Sequence, residues 1–486
     1  MNIISSIIYE FSEEDSKAFI SFLKSKNRRG DVKNITLFRL LKKGEKKNID
    51  VLLYGKKNKN ALHVLSKRLQ DSLVDFVAMR SFSKETSEEM EILKLLLSSR
   101  IFLEQGNDTL GSKLLKKAEL KAKEQDLFGV LNEIYHTKIQ YAHKLPSQKL
   151  SDILTASSKN LQLLQNEQKI NAAYATIKYQ LKNQEYTSIN DIAESVLEEF
   201  NLSKENHFTY KTLFQFMKLV STAANLKRDY YSFSPLLLSI YSFVNQKQVS
   251  KEKHLFYHIE ILHIMAINYF RNKDFKTSLD FVYEMEAKCE LQNGKFKSRF
   301  KEKVVLLKSL NFQYTGDYEK AHQLLTESNI KSPDSLLTLS MFYFQQDQIQ
   351  KAYSTLFKLT HSNAWYEKQV GLLWTLKKNI MEVLLLIELN KLDLVLTYLE
   401  RFKKNFHKKL HQLKDDRVLP FMNLVADYYK NPKEASSEKF IAKVEKSFIW
   451  KEAKAEDIFV MSFYAWLKSK IEKKPLYETT LELIKK

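Results

Sequence analysis

Glycine and proline are nearly missing from this chain. There are 9 Gly and 6 Pro in 486 residues, about 3% together against a usual share of about 12%. β-rich and α/β folds need glycine for positive-φ turns and for phosphate loops. A chain this poor in both residues cannot make many tight hairpins. Long helices joined by short polar turns remain, and Leu, Lys, Glu and Gln favour them. Hydrophobic residues at 44% are enough for a folded interior. Length alone suggests about three ordinary domains, but a helical repeat grows by stacking units and escapes that rule.

Three segments repeat one spacing. The first holds Ala266, Tyr269, Asp274-Phe275 and Ser278; the second Ser309, Phe312, Gly316-Asp317-Tyr318 and Ala321; the third Ser340, Tyr343, Gln348-Ile349 and Ala352. A fourth lies upstream with Ser99, Phe102, Gly106-Asn107-Asp108, Gly111, Leu115 and Ala118. In each, two small residues let a pair of helices approach closely, an aromatic fills the wedge beside them, and a polar link reverses the chain. Weaker copies surround Lys182–Tyr186, Lys227–Tyr230, Asn390–Leu392, Lys430–Pro432 and Lys473–Leu476. The turn marks Tyr186, Tyr230, Phe275, Tyr318, Ile349, Leu392, Pro432 and Leu476 are 44, 45, 43, 31, 43, 40 and 44 residues apart, and one further unit fits near Pro146.

This pattern resembles the tetratricopeptide repeat, and Pro333 at the start of a first helix suits it. The resemblance covers roughly residues 90–486. The family period is about 34 residues, so most units here are longer, and Ile177 and Val383 stand where small residues are expected. The resemblance implies an all-α solenoid of stacked helix-turn-helix units over residues 86–486. It implies a concave face lined by first helices, with His263, Ile267, Phe270, Leu306, Leu310, Gln313, Leu337, Met341 and Phe344 as groove residues. Such a groove suits an amphipathic helix or extended peptide. The lysine and asparagine set with which the family clamps a C-terminal carboxylate is not matched.

Residues 1–85 do not follow the period. Ser12-Glu-Glu-Asp15 marks a helix start, and Leu62, Leu65, Leu69, Leu73 and Phe76 recur at helical spacing. A small basic helical bundle is expected there.

The net charge of +20 is concentrated at the two ends. Residues 1–70 hold 16 Lys/Arg against 7 Asp/Glu, and residues 401–486 hold 20 against 12. The densest run is Lys42, Lys43, Lys46, Lys47, Lys56, Lys57 and Lys59. Such a run marks a nucleic-acid footprint or a contact for an acidic protein. Lysine predominates, whereas bidentate phosphate grips favour arginine.

Little in the sequence points to catalysis. His254 and His258 share a helix face, but Glu260 lies off that face and no further metal ligand accompanies them. His407 and His411 repeat the spacing among lysines. Cys289, the single cysteine, reads as a packed apolar residue. Gly106 and Gly111 have phosphate-loop spacing, but Ser112-Lys113 reverses the order that motif needs. The expectation is therefore a cytoplasmic, non-enzymatic adaptor or regulator without a cofactor or membrane insertion, binding a protein or peptide partner. The alternative is a nucleic-acid-binding regulator gripping phosphates with its basic ends.

Overall fold

The structure is a computed structural model describing residues 4, 7–8, 11, 13–26, 32–45, 48–84, 88–145, 148–183, 209–227, 230–246, 254–412, 417–447, 456 and 458–485. Among the described residues it is all-α. The chain divides into two compact units, residues 1–164 and 165–486. The change of pattern expected at residue 86 falls inside the first.

The first unit opens with α1 (Glu13–Lys26), α2 (Val32–Lys42), α3 (Ile49–Tyr54) and α4 (Lys59–Lys84). Phe19, Phe38 and Phe76 meet in its first core, with ring centroids 5.1 Å apart from Phe19 to each of the others, joined by Leu37, Leu69 and Leu73. A second core gathers under α5 (Glu88–Glu104), α6 (Asp108–Glu124), α7 (Phe128–Gln140) and the start of α8 (Leu150–Asn183). At 34 residues, α8 is about 51 Å long, and the unit boundary falls within it.

The second unit continues in adjacent pairs: α9 (Tyr210–Lys227) with α10 (Tyr230–Gln246), α11 (Leu255–Arg271) with α12 (Phe275–Gly294), α13 (Lys297–Thr315) with α14 (Tyr318–Glu327), and α15 (Pro333–Gln345) with α16 (Ile349–Leu356). A short α17 (Asn363–Gln369) precedes α18 (Leu372–Glu388) and α19 (Leu392–Gln412). The last pairs are α20 (Val418–Lys430) with α21 (Glu438–Ser447), and α22 (Ile458–Glu472) with α23 (Leu476–Lys485).

The expected turns are one device used again and again. The backbone N–H six residues into each turn closes on a carbonyl five residues back. Asn107 donates to Phe102, Asp274 to Tyr269, Asp317 to Phe312, Gln348 to Tyr343, Lys391 to Leu386 and Lys474 to Ser469. The residue just before each donor is left-handed, with φ of 80° at Gly106 and 103° at Gly316. This is a helix-ending geometry that satisfies otherwise orphaned carbonyls. Asn107, Asp274 and Asp317 then cap the next helix, their side chains accepting from Leu110, Thr277 and Lys320 N–H.

The small residues sit where the spacing placed them. Ser99, Gly111, Ala266, Ser278, Ser309, Ala321, Ser340 and Ala352 are all buried. Ser278 Oγ donates to Ala266 O at 2.9 Å, and Ser340 Oγ to Ala352 O at 2.8 Å. A Cβ added to Gly111 would lie 2.7 Å from Leu103 Cγ. That distance is far inside van der Waals contact, so the glycine is a packing requirement here.

Candidate functional site

First helices α11, α13 and α15 carry the nine expected groove residues. Phe270, Gln313, Leu337, Met341 and Phe344 are buried, while His263, Ile267, Leu306 and Leu310 are partly buried. What covers much of this face is the same chain returning. Phe270 packs 6.5 Å from Phe459 of α22, Tyr314 hydrogen-bonds Ser462 at 2.9 Å, and Tyr477 of α23 donates to Gln313 O at 2.6 Å. Phe270, Leu337, Met341 and Phe344 share one core with Met461, Trp466, Leu467 and Ile484. The physical reason is covalent proximity: an apolar first-helix face is buried by the nearest apolar helix, and α22 and α23 are tethered to it. Phe270 and Gln313 are thus held against that pair.

Two openings among the described residues of this unit bear on the site. One has a volume of 640 Å³, bordered by Tyr318, Phe344, Trp466, Lys473 and Tyr477. Its charges are largely answered locally: Lys470 pairs with Glu388 at 2.6 Å, and Trp466 Nε1 donates to the same carboxylate at 2.6 Å.

The other is smaller, 70 Å³, and chemically one-sided. It is lined by first helices of five pairs: Asn225 of α9, Arg271 of α11, Leu376, Lys377 and Ile380 of α18, Val418 and Phe421 of α20, and Phe459 and Phe463 of α22, with Arg417 just before α20. Its floor is apolar and aromatic. Among the described lining residues three are cations and none is a carboxylate. Lys377 Nζ stands 3.3 Å from the Phe459 ring centroid, and the Arg271 guanidinium 4.3 Å from it. Arg271 also lies 4.9 Å from the Tyr230 ring. Arg417 is held by the buried Glu456 at 2.5 Å. Cations over aromatic faces stay fixed in direction while keeping their charge. Sequence reading missed this set, because its members come from segments up to about 240 residues apart and share no local spacing.

The basic run of the first unit splits. Lys42 turns inward and donates to Phe11 O at 3.1 Å and to Ser16 Oγ. Lys43, Lys56, Lys57 and Lys59 are exposed. Lys46 and Lys47 lie outside the described residues.

The groups singled out for chemistry are dispersed. His254 is buried and stacks on Tyr210 at 5.0 Å; His258 is buried with Nε2 4.0 Å from Glu284. His407 and His411 are neighbours on α19, their rings 4.6 Å apart. Among the described residues, no three His, Cys, Asp or Glu side chains gather in a way that would hold a metal ion. Cys289 is buried, and burial, with Glu290 and Glu286 nearby, pushes its thiol up to about 11. That leaves it protonated and a poor nucleophile at neutral pH. No described helix is long and apolar enough to cross a membrane.

Comparison of the sequence with family models and with curated proteins returns no match.

Proposed function

We propose that this chain is a non-enzymatic adaptor, a divergent tetratricopeptide-like solenoid that holds a protein partner on the first-helix side of its second unit. The observation that carries the reading is the small cavity between α9, α11, α18, α20 and α22. An apolar floor under Arg271 and Lys377, beside an Arg417 already paired with Glu456, is suited to one apolar side chain embedded in an acidic segment. Binding energy concentrates in such desolvated anchor pockets, and a rim of one sign selects partners of the other. A whole drug-sized ligand needs a cavity of about 300–1,000 Å³. A volume of 70 Å³ is instead the scale of a single side chain. The repeated turns and small-residue contacts support the repeat reading.

The test is an array of acidic peptides, each carrying one Leu or Phe, probed with the full chain and with Lys377→Glu. The wild-type chain should retain a subset of these peptides, and the charge reversal should lose them with circular dichroism unchanged. An array with no retained peptide, or one indifferent to Lys377→Glu, would overturn the reading.

A second reading rests on Lys43, Lys56, Lys57 and Lys59, which are exposed and have no ion pair among the described residues. They suit a phosphate backbone. Affinity for a DNA duplex that falls steeply with salt would favour this reading, whereas an apolar anchor responds little.

A further inference from the structure

The repeat geometry makes one surface of the first unit conspicuous. Two residues before and two after each small first-helix residue, the side chains face the second helix of the preceding pair. In α11 these are Ile264 and Asn268, both buried, and Asn268 donates to Ser234 of α10 at 2.9 Å. In α13 they are Leu307 and Asn311, both buried, and Asn311 donates to Ser278 of α12 at 3.0 Å. In α15 the second is Phe342, buried beside Ala321 and Leu325 of α14. In α5 the equivalents are Leu97 and Ile101, and they are 45% and 51% exposed. They present a stacking surface of the established kind with no described residue stacked on it.

The chemistry of that face points to its occupant. Lys94, Leu97, Ile101 and Glu104 follow one another at spacings of three, four and three, so they form one stripe along α5. Ser99 is the midpoint of both Leu97/Ile101 and Lys94/Glu104. A second α5 laid antiparallel across a two-fold axis at Ser99 therefore brings Leu97 to the partner copy's Ile101, and Lys94 to its Glu104. Among the described residues neither Lys94 nor Glu104 has an ion-pair partner within the chain. The stripe is complementary to itself in its apolar and charge pattern, which is the requirement of an isologous interface.

We infer that a second copy of this chain docks here, forming a two-fold dimer through an antiparallel α5 seam. The seam runs about 15 Å and holds four apolar side chains, so association is reversible and follows concentration. This site lies in the first unit and does not depend on the peptide cavity of the second.

Sedimentation velocity of the full chain at low salt, over a broad range of concentration, tests it. The wild type should pass from monomer to dimer. Leu97→Glu should remain monomeric throughout. Lys94→Glu and Glu104→Lys each set two like-charged pairs across the axis and should each weaken the dimer about tenfold. The combined K94E/E104K chain restores both pairs and should dimerise like wild type. Leu97, Ile101 and Glu104 are exposed and Lys94 is partly buried, and circular dichroism would verify the fold. A wild-type monomer at every concentration, a dimer insensitive to Leu97→Glu, or no recovery in the combined variant would each overturn the inference.

Discussion

Small buried side chains set the distance between helices here, and their substitution should be costly in a graded way. Ser309 is fully buried, and its hydroxyl has no hydrogen-bond partner among the described residues. Ser309→Ala removes an unsatisfied polar group and should leave stability unchanged or raise it. Ser309→Arg forces volume and an unpaired charge into a fully buried position and should cost at least about 3 kcal/mol. Urea midpoints of the two variants against wild type measure both outcomes. His263 offers a second residue-scale test. Burial, with Lys303 adding, holds its imidazole down to about 3, well below the ordinary 6.5. Between those values the unfolded chain binds the extra proton and the folded chain does not. The contribution is complete above pH 6.5 and is lost as pH falls toward 3, by up to about 1.4 kcal/mol per pH unit. His263→Gln lacks this loss, so its stability deficit relative to wild type should shrink, or reverse, on acidification from pH 7 to pH 4. A parallel pair of pH–stability curves would sink the assignment. The small-residue positions were readable from their spacing alone. The depressed His263 was not, because it depends on which side chains surround the ring.

At the scale of elements, the turns explain how a chain with so little glycine reverses direction so often. Each turn needs one left-handed residue, and only Gly106 and Gly316 among those compared are glycine; Lys273, Asp347, Asn390 and Lys473 hold φ between 51° and 65°. A non-glycine there costs roughly 1–2 kcal/mol, offset by the capping bonds and packing that follow. The weaker expected copies around Asn390 and Lys473 share this backbone geometry despite unlike sequences. The pair α22–α23 is the element whose role was least legible. Its apolar pattern identifies two helices but cannot say what they cover. Tyr477 fastens α23 to α13 through Gln313 O, and burial, with Asp317 nearby, raises its phenol well above the ordinary range. Tyr477→Phe removes that bond and should cost about 1 kcal/mol, read as a lower urea midpoint with unchanged slope. A midpoint equal to wild type would mean that apolar packing alone fastens the pair.

At the scale of the molecule, each unit has its own cores and its own open surface: a self-complementary stripe on the first, a cation-rimmed cavity in the second. Their chemistry differs, so the two are separable by mutation. The basic ends read from composition are also present, though Lys42 is spent on an internal contact. The sequence by itself determined helical class, turn positions and the small contacts within each pair. All of these depend on residues within about 15 positions of one another, where backbone geometry fixes which side chains meet. Only the tertiary structure decided which first-helix faces stay open. Burial of an apolar face is non-directional, and nothing local says whether its cover comes from a partner or from a helix about 150 residues further along. That choice placed Phe459 against Phe270, covered part of the expected groove, and left Leu97 and Ile101 exposed.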